Sequence, residues 1–496
     1  MKKENDIQIY MLPQTDQAKE QVDIEIHVYD STDSKINVYI AFSVFTAVLS
    51  TYITGFNIGS PNIPQQVIIG CNSNNYSSSV LPACLPMAPI VWGFTLATFA
   101  LGSLVAGLSA GSIADRIGRR RALWFNNTFV IIAGVLMSTA GSIPQMIVGR
   151  FLAGLGGGCA SVFVSMYNSE IAPLKYKGVV GTMTQVSLVS GILSSQGLAL
   201  LFTYVPGWRI LFSLTAIPCI LQIVLLFFCT ETPTWLIRQG RIHDARASLQ
   251  KLRKGQSIDN EFDILYRINC STESDSDHEA SDNEITRAKT MGLIEILKVK
   301  ETRRGLFNAL AIHAFQQLCG VNAVIYYSTS IFQSILGPEN SGVFTVVVAA
   351  TNLTITLLST VLVDRLGRKP LLLVSSFGMC ISCILMVIAA NTSMDIMVVI
   401  SVMLFIGFFA TGLGPLPWLL VPEFLPPAAL GTGASLCSAV NWMFTFLIGF
   451  LFPAIKLILQ DWAFLPFAIT SGCCGLYVLL FFPETKFKNS ETITEP

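Results

Sequence analysis

Residues 316–327 read Gln316-Gln317-Leu318-Cys319-Gly320-Val321-Asn322-Ala323-Val324-Ile325-Tyr326-Tyr327. They stand inside a long apolar run that begins just after Arg303 and Arg304. Three side-chain amides and two tyrosines therefore share one hydrophobic span. An amide left unpaired in hydrocarbon costs roughly 2–7 kcal/mol, depending on the reference state. Such groups face a protein interior or a watery cavity and mark a path, unless they serve only to hold helices together. An ideal helix scatters Gln316, Gln317 and Asn322 around its circumference. Gly320 lies between them and permits a local break that re-aims them.

Working outward, hydrophobic residues make up 52% of the 496-residue chain and charged residues 12%, against about 25% charged in a soluble domain. This excludes a large soluble core and predicts an all-α polytopic membrane protein. Apolar runs of spanning length fall at 37–58, 89–112, 122–141, 144–166, 179–202, 209–230, 305–332, 341–362, 370–391, 396–420, 429–456 and 462–482. These are twelve spans, six in each half. The halves, 37–230 and 305–482, flank a polar insert at 231–304. Residues 1–36 and 483–496 are tails, and the first reads as disordered.

With the N-terminus inside, the inside segments hold 28 of the 31 Lys and Arg residues. The positive-inside rule then places both termini and the insert in the cytoplasm. The outside loop 65–88 lacks Lys and Arg and carries the sequon Asn75-Tyr76-Ser77, a glycosylation acceptor. It also holds Cys71 and Cys84, on the side where disulfides persist. They read either as a bridge or as two unrelated thiols. In the insert, 234–254 reads as short amphipathic helices on the inner membrane face. The acidic, serine-rich 271–284 reads as a disordered linker, with phosphorylation as an alternative.

A repeat runs through the chain. Asp115-Arg116-Ile117-Gly118-Arg119-Arg120 recurs 249 residues later as Asp364-Arg365-Leu366-Gly367-Arg368-Lys369. Glu170 matches Glu423, and Glu231-Thr232 matches Glu484-Thr485, both at an offset of 253. Such a duplication predicts two related six-helix halves. The glycine suits a tight turn between helices, and the basic residues can reach a carboxylate on a neighbouring helix. Arg116, Arg120, Lys177, Arg365 and Arg368, with Glu170 and Glu423, are expected to form an inner gate. Positive-inside anchoring is the plainer role for the same cations.

With these residues assembled, the chain resembles the sugar porter branch of the major facilitator superfamily, especially the facilitative glucose transporters. Besides the two loops, the resemblance rests on Gly149-Arg150-Phe151, Glu170-Ile171-Ala172-Pro173, Gln316 through Val324, Gly414-Pro415-Leu416-Pro417-Trp418 and Pro483-Glu484-Thr485-Lys486. It extends from about residue 40 to 486. It implies a sugar site at mid-membrane between the halves. By position, the ligands it implies are Gln185, Gln316, Gln317, Asn322, Asn352, Trp418 and Asn441. Amides both donate and accept, as sugar hydroxyls do, and carry no charge to desolvate. An indole covers an apolar sugar face.

The departures from the family pattern bear on sugar identity and rate more than on fold. Ala410 replaces a common Glu, Leu413 a Pro, and Leu430 a basic residue where the first half keeps Lys177. The central motif reads Thr230-Glu231-Thr232-Pro233, and the last ends in Phe487 instead of Gly. Asn57 stands where family symporters typically carry Asp. With no other carboxylate deep in a span, the expectation is facilitative uniport of a glucose-like hexose. Sugar–proton symport is the alternative, and a transporter-shaped nutrient sensor is the second. No nucleophile–base pair, phosphate-binding loop or metal set appears, so neither an enzyme nor a cofactor is expected. The expected partners are a small-molecule sugar and the lipid bilayer, with no nucleic acid. The membrane is expected to be the plasma membrane, or alternatively an internal, vacuolar one. The residues leave the oligomeric state open.

Overall fold

The computed structural model describes residues 36–70, 81–173, 176–254, 257–269 and 291–483. Asn75, Cys71, the acidic stretch 271–284 and Glu484 lie outside them. The described residues are helical, with no strand. Among the described residues, eleven helices are long and apolar enough to cross a membrane: Val38–Gly59, Pro89–Ile117, Arg119–Ser138, Ile143–Ile171, Lys177–Leu201, Gly207–Leu226, Lys300–Leu336, Pro338–Val363, Arg368–Asn391, Asp395–Phe424 and Ala428–Trp462. The shorter apolar helix Leu465–Phe481 follows them. We call these spans one to twelve. Large apolar side chains such as Phe227, Phe228, Leu480 and Phe481 face outward, as a hydrocarbon surround requires. The protein is a multi-pass membrane protein.

Small residues let the helices of the first half approach closely, the packing that replaces hydrophobic drive inside a bilayer. A Cβ at Gly154 or Gly158 of span four would lie 1.9 or 2.1 Å from the carbonyl of Phe99 or Ser103 in span two. The halves meet along two seams, span two on span eleven and span five on span eight. Beside the first seam, Ser161 of span four and Ser438 of span eleven share a hydrogen bond of 3.0 Å.

Two spans are broken where the sequence carries glycine. In span seven, Gly320 takes φ +88° and ψ 16° and separates Lys300–Leu318 from Val321–Leu336. A side chain there would be strained by the backbone angle and would strike the Phe467 ring at 2.5 Å. Span twelve braces the break. Phe467 fills the space beside Gly320, and Thr470 Oγ1 donates to the freed carbonyl of Leu318 at 2.7 Å. Two turns on, Tyr477 packs against Phe315 and donates to Asn308 Oδ1 at 2.8 Å. Span ten breaks between Thr411 and Leu416.

The insert forms short helices that pack on one another and on the first half. Helices Pro233–Arg238, Ile242–Leu252 and Asp259–Asn269 turn their apolar sides toward one another, around Trp235, Ile237, Leu249 and Phe262. They dock on the loops of the first half. Trp235 Nε1 donates to Asp115 O at 2.8 Å, Arg253 to Ile171 O at 3.0 Å, and Asn37 to Leu252 O at 2.7 Å. Residue Met291 instead joins the second half, exchanging hydrogen bonds with Ala428 and Thr432.

Candidate functional site

The break at Gly320 decides what faces the seam between the halves. In an unbroken helix, residues five apart point well away from each other. Here Asn322 Nδ2 donates to Gln317 Oε1 across the break. Gln317 Nε2 in turn donates to Asn441 Oδ1 of span eleven at 3.1 Å. Asn441 Nδ2 closes the circuit on Gln316 Oε1 at 2.6 Å. Gln316 Nε2 donates to the carbonyls of Leu413 and Gly414 at 2.7 and 3.0 Å. Those carbonyls are the ones that the break in span ten frees from helical pairing, and buried backbone groups need such partners.

These amides line a cavity of about 70 Å³ together with Gln185 of span five, Asn352 of span eight and Trp418 of span ten. All seven residues that the resemblance names are thus brought to one cavity. The set is buried except for the half-buried Trp418. Trp418 stands edge-on to His313, with ring centroids 4.7 Å apart, and His313 Nδ1 lies 3.3 Å from Asn441 Nδ2. Ile58, Ile192, Val321, Ile325 and Phe409 supply apolar wall.

Sequence reasoning missed two polar members of the lining. Thr445 stands one turn beyond Asn441 and donates to its carbonyl at 2.9 Å. The i, i+4 spacing with Asn441 was the available signal. Trp442 is buried against Phe99, and its indole N–H has no hydrogen-bond partner. A buried donor without a partner costs free energy, so a hydroxyl in the cavity would satisfy it. Nothing in the pattern of residues separates Trp442 from a packing tryptophan.

The basic ends of the two halves carry matching ion pairs. Arg119, fully buried, donates Nε to Glu170 Oε1 at 3.0 Å, contacts Asp115 at 2.9 Å and gives Nη1 to Ala114 O at 3.1 Å. Arg368 donates to Glu423 Oε1 at 3.1 and 2.8 Å and gives Nη1 to Val363 O at 3.3 Å. The expected set is corrected here, because the cation on Glu170 is Arg119. Arg116 is exposed. Arg120 contributes its backbone N–H, which Glu231 accepts along with that of Arg119. Gly118, at φ +94°, leaves the room: a Cβ would sit 2.4 Å from Glu231 Oε2. The reason is geometric, since the residue directly after the glycine turns back toward the bundle. Lys177 stands exposed within electrostatic reach of Glu170. Arg365 is exposed at the matching end of span eight.

At the opposite end, the turn after span one closes on span seven. Asn62 Nδ2 donates to Ile325 O at 2.7 Å and to Ser328 Oγ at 2.8 Å, and Ser330 Oγ donates to Gln65 Oε1 at 3.0 Å. Cys84 is disulfide-bonded, while its expected partner Cys71 lies outside the described residues.

Against known proteins, residues 42–496 match the family described as "Sugar (and other) transporter". The chain belongs to this sugar transporter family. It is 32% identical over 474 residues to the facilitated glucose transporter member 4 of solute carrier family 2 from Homo sapiens, covering 92% of this chain and 90% of that one. It is also 32% identical over 486 residues to the facilitated glucose transporter protein 1 of Caenorhabditis elegans, covering 93% and 91%. Among solved structures it is similar to the proton:xylose symporter XylE bound to 6-bromo-6-deoxy-D-glucose, with a TM-score of 0.74, 22% identity and coverage of 90% and 97%. A partially occluded inward-open form of XylE from E. coli gives 0.73 at 23% identity, covering 91% and 100%. The fold is that of the major facilitator superfamily, and the chain is a sugar transporter. Its relatives are carriers and not enzymes.

Proposed function

We propose that the chain is a facilitative uniporter for a glucose-like hexose, working by alternating access around the amide-lined cavity. The observation that carries uniport is the environment of Arg150. This fully buried arginine donates to Asn57 O at 2.6 Å and to Leu96 O at 3.4 Å, and stacks over the Phe99 ring at 4.9 Å. Every partner is neutral. A proton-coupled carrier needs a titrating group linked to the sugar site, and Asn57, a side chain that cannot titrate, stands there.

The amide circuit supports sugar as the cargo. Each amide of the circuit is hydrogen-bonded to another. A hydroxyl that both donates and accepts can exchange into the circuit. A carrier must also release its cargo, which fits a Kd on the order of millimolar, about −4 kcal/mol.

For the cycle, the two Arg–Glu pairs hold the basic end, which the Lys and Arg distribution makes cytoplasmic. The Asn62 contacts hold the outer end. Gly320 lies between, so the segment Val321–Leu336 can swing without unfolding the first part of span seven. The relatives support glucose as the cargo type. The XylE bound to 6-bromo-6-deoxy-D-glucose is named a proton:xylose symporter, but at 22% identity it informs the fold alone. The plasma membrane, with both termini cytoplasmic, completes the reading. Sugar counterflow in liposomes with a panel of hexoses tests it. Glucose-type sugars should exchange, and a silent panel would refute the reading.

A further inference from the structure

The basic end of spans two and three holds four arginines, and they divide into two sets. Arg119 is buried in its ion pairs with Asp115 and Glu170, and Glu231 holds the backbone of Arg119 and Arg120. Arg116 and Arg121 are exposed, while the carboxylates of this end are engaged around Arg119.

Arg116, Ile117, Arg121, Trp124 and Phe125 line a groove of about 400 Å³. Arg121, Trp124 and Phe125 share one face of span three at i, i+3 and i+4. The groove therefore runs from the basic boundary toward the bilayer interior. Trp124 is 43% and Phe125 51% exposed, so both rings face the bilayer beside the two arginines. Phe129 continues the wall, edge-on to Phe125 at 5.6 Å.

The repeat supplies a control within the molecule. The second-half positions 249 residues on are Arg365, Leu366, Pro370, Leu373 and Val374. They keep one arginine and lose the second, together with both aromatics. Charge anchoring and an aromatic belt would serve both halves alike, whereas this combination belongs to the first half.

We infer that the groove binds one anionic phospholipid from the leaflet at the basic end. Two guanidinium groups match phosphate oxygens in forked geometry, and the acyl chains follow Trp124 and Phe125 into the bilayer. A soluble anion would leave that aromatic wall without a role. A zwitterionic lipid carries its own cation beside the phosphate and gains less from the arginines.

The test uses the full chain in phosphatidylcholine vesicles containing either dibrominated phosphatidylglycerol or dibrominated phosphatidylcholine. Bromine quenches a nearby indole, and the difference between wild type and Trp124→Phe isolates the Trp124 signal. Each arginine near an anionic lipid is worth about fivefold in partition. The expected result is at least that preference for the glycerol headgroup in wild type, lost in Arg116→Gln/Arg121→Gln. It should be kept in Lys298→Gln/Lys300→Gln, which removes the same charge from exposed sites around the start of span seven. Equal quenching by both lipids in wild type would overturn the site. So would a preference that survives the double arginine change or falls equally in the lysine control. Loss of the preference on adding millimolar inorganic phosphate at constant ionic strength would assign the groove to a soluble anion, against this inference.

Discussion

Asn441 of span eleven donates a 2.6 Å hydrogen bond to Gln316 of span seven, which ties two of the helices that line the cavity. Gln316 at the same time covers the freed carbonyls of span ten. One side chain therefore serves both the proposed sugar site and the break that shapes it. Gln316→Ala is expected to weaken sugar binding by about 1–3 kcal/mol, the cost of leaving buried partners unpaired. Asn322→Ala, which spares the span-ten carbonyls, should weaken binding with a smaller loss of thermal stability. Kd from sugar-dependent fluorescence, together with Tm, separates the two; an unchanged Kd in both variants would remove the amides from the site.

Trp442 offers an unpartnered indole N–H at the cavity wall. Trp442→Phe keeps the ring and removes the donor. The expectation is a several-fold rise in the sugar Kd, of the order of one hydrogen bond or about 1 kcal/mol, with Tm preserved. A wild-type Kd would make this residue a packing group only.

The hinge at Gly320 carries a sharper expectation. Gly320→Ala meets both the left-handed backbone angle, about 1–2 kcal/mol, and the Phe467 ring, with overpacking worth about 1–3 kcal/mol. It should lower Tm and stop flux. Thr470→Val, which removes the donor to Leu318 O but keeps Gly320 and Phe467, should cost about 1 kcal/mol and leave the site intact. A Gly320→Ala protein with wild-type flux would mean that span seven does not need its break.

At the basic end, Glu170→Gln removes one of the two carboxylates on buried Arg119 and leaves Asp115, a loss of about 1.5–3 kcal/mol for a hydrogen bond to a charged group, whereas Arg116→Gln should leave this network unchanged. Thermal unfolding of the two variants in one detergent distinguishes them. Equal losses would contradict the pairing described for Arg119.

Glu231 gives a pH dependence. Burial pushes its carboxyl above the ordinary carboxylate range, against the N–H groups of Arg120 and Thr232, with Glu170 adding to the rise. The folded chain therefore holds this proton more tightly than the unfolded chain. The resulting stability is present below the ordinary pKa and is lost as pH rises through the raised one. Tm scans of wild type against Glu231→Gln should diverge across that window, the variant losing this part of the dependence. Parallel scans would exclude the carboxyl as a source.

Twelve spans, the two halves and the broken span seven were legible because membrane spans and repeats are written in hydropathy and spacing. The seven cavity residues were legible through the resemblance. Gly320 announced a break, but the brace from Phe467 and Thr470 depends on how span twelve packs, which no local pattern encodes. Arg119 was passed over because three adjacent arginines look alike in sequence. Only the turn at Gly118 decides which one points inward. The insert's helices were visible as amphipathic. Their docking on the first half was not, since an apolar face does not say what covers it.

The most direct measurement follows sugar flux into liposomes loaded with a pH-sensitive dye, with and without an imposed pH gradient. Because Arg150 meets only neutral partners and Asn57 replaces an acid, the account predicts flux that runs down the sugar gradient. Its initial rate should be the same under either pH condition, and the lumen should not acidify as sugar enters. Sugar-dependent acidification, or accumulation above the external concentration when a proton gradient is applied, would contradict it.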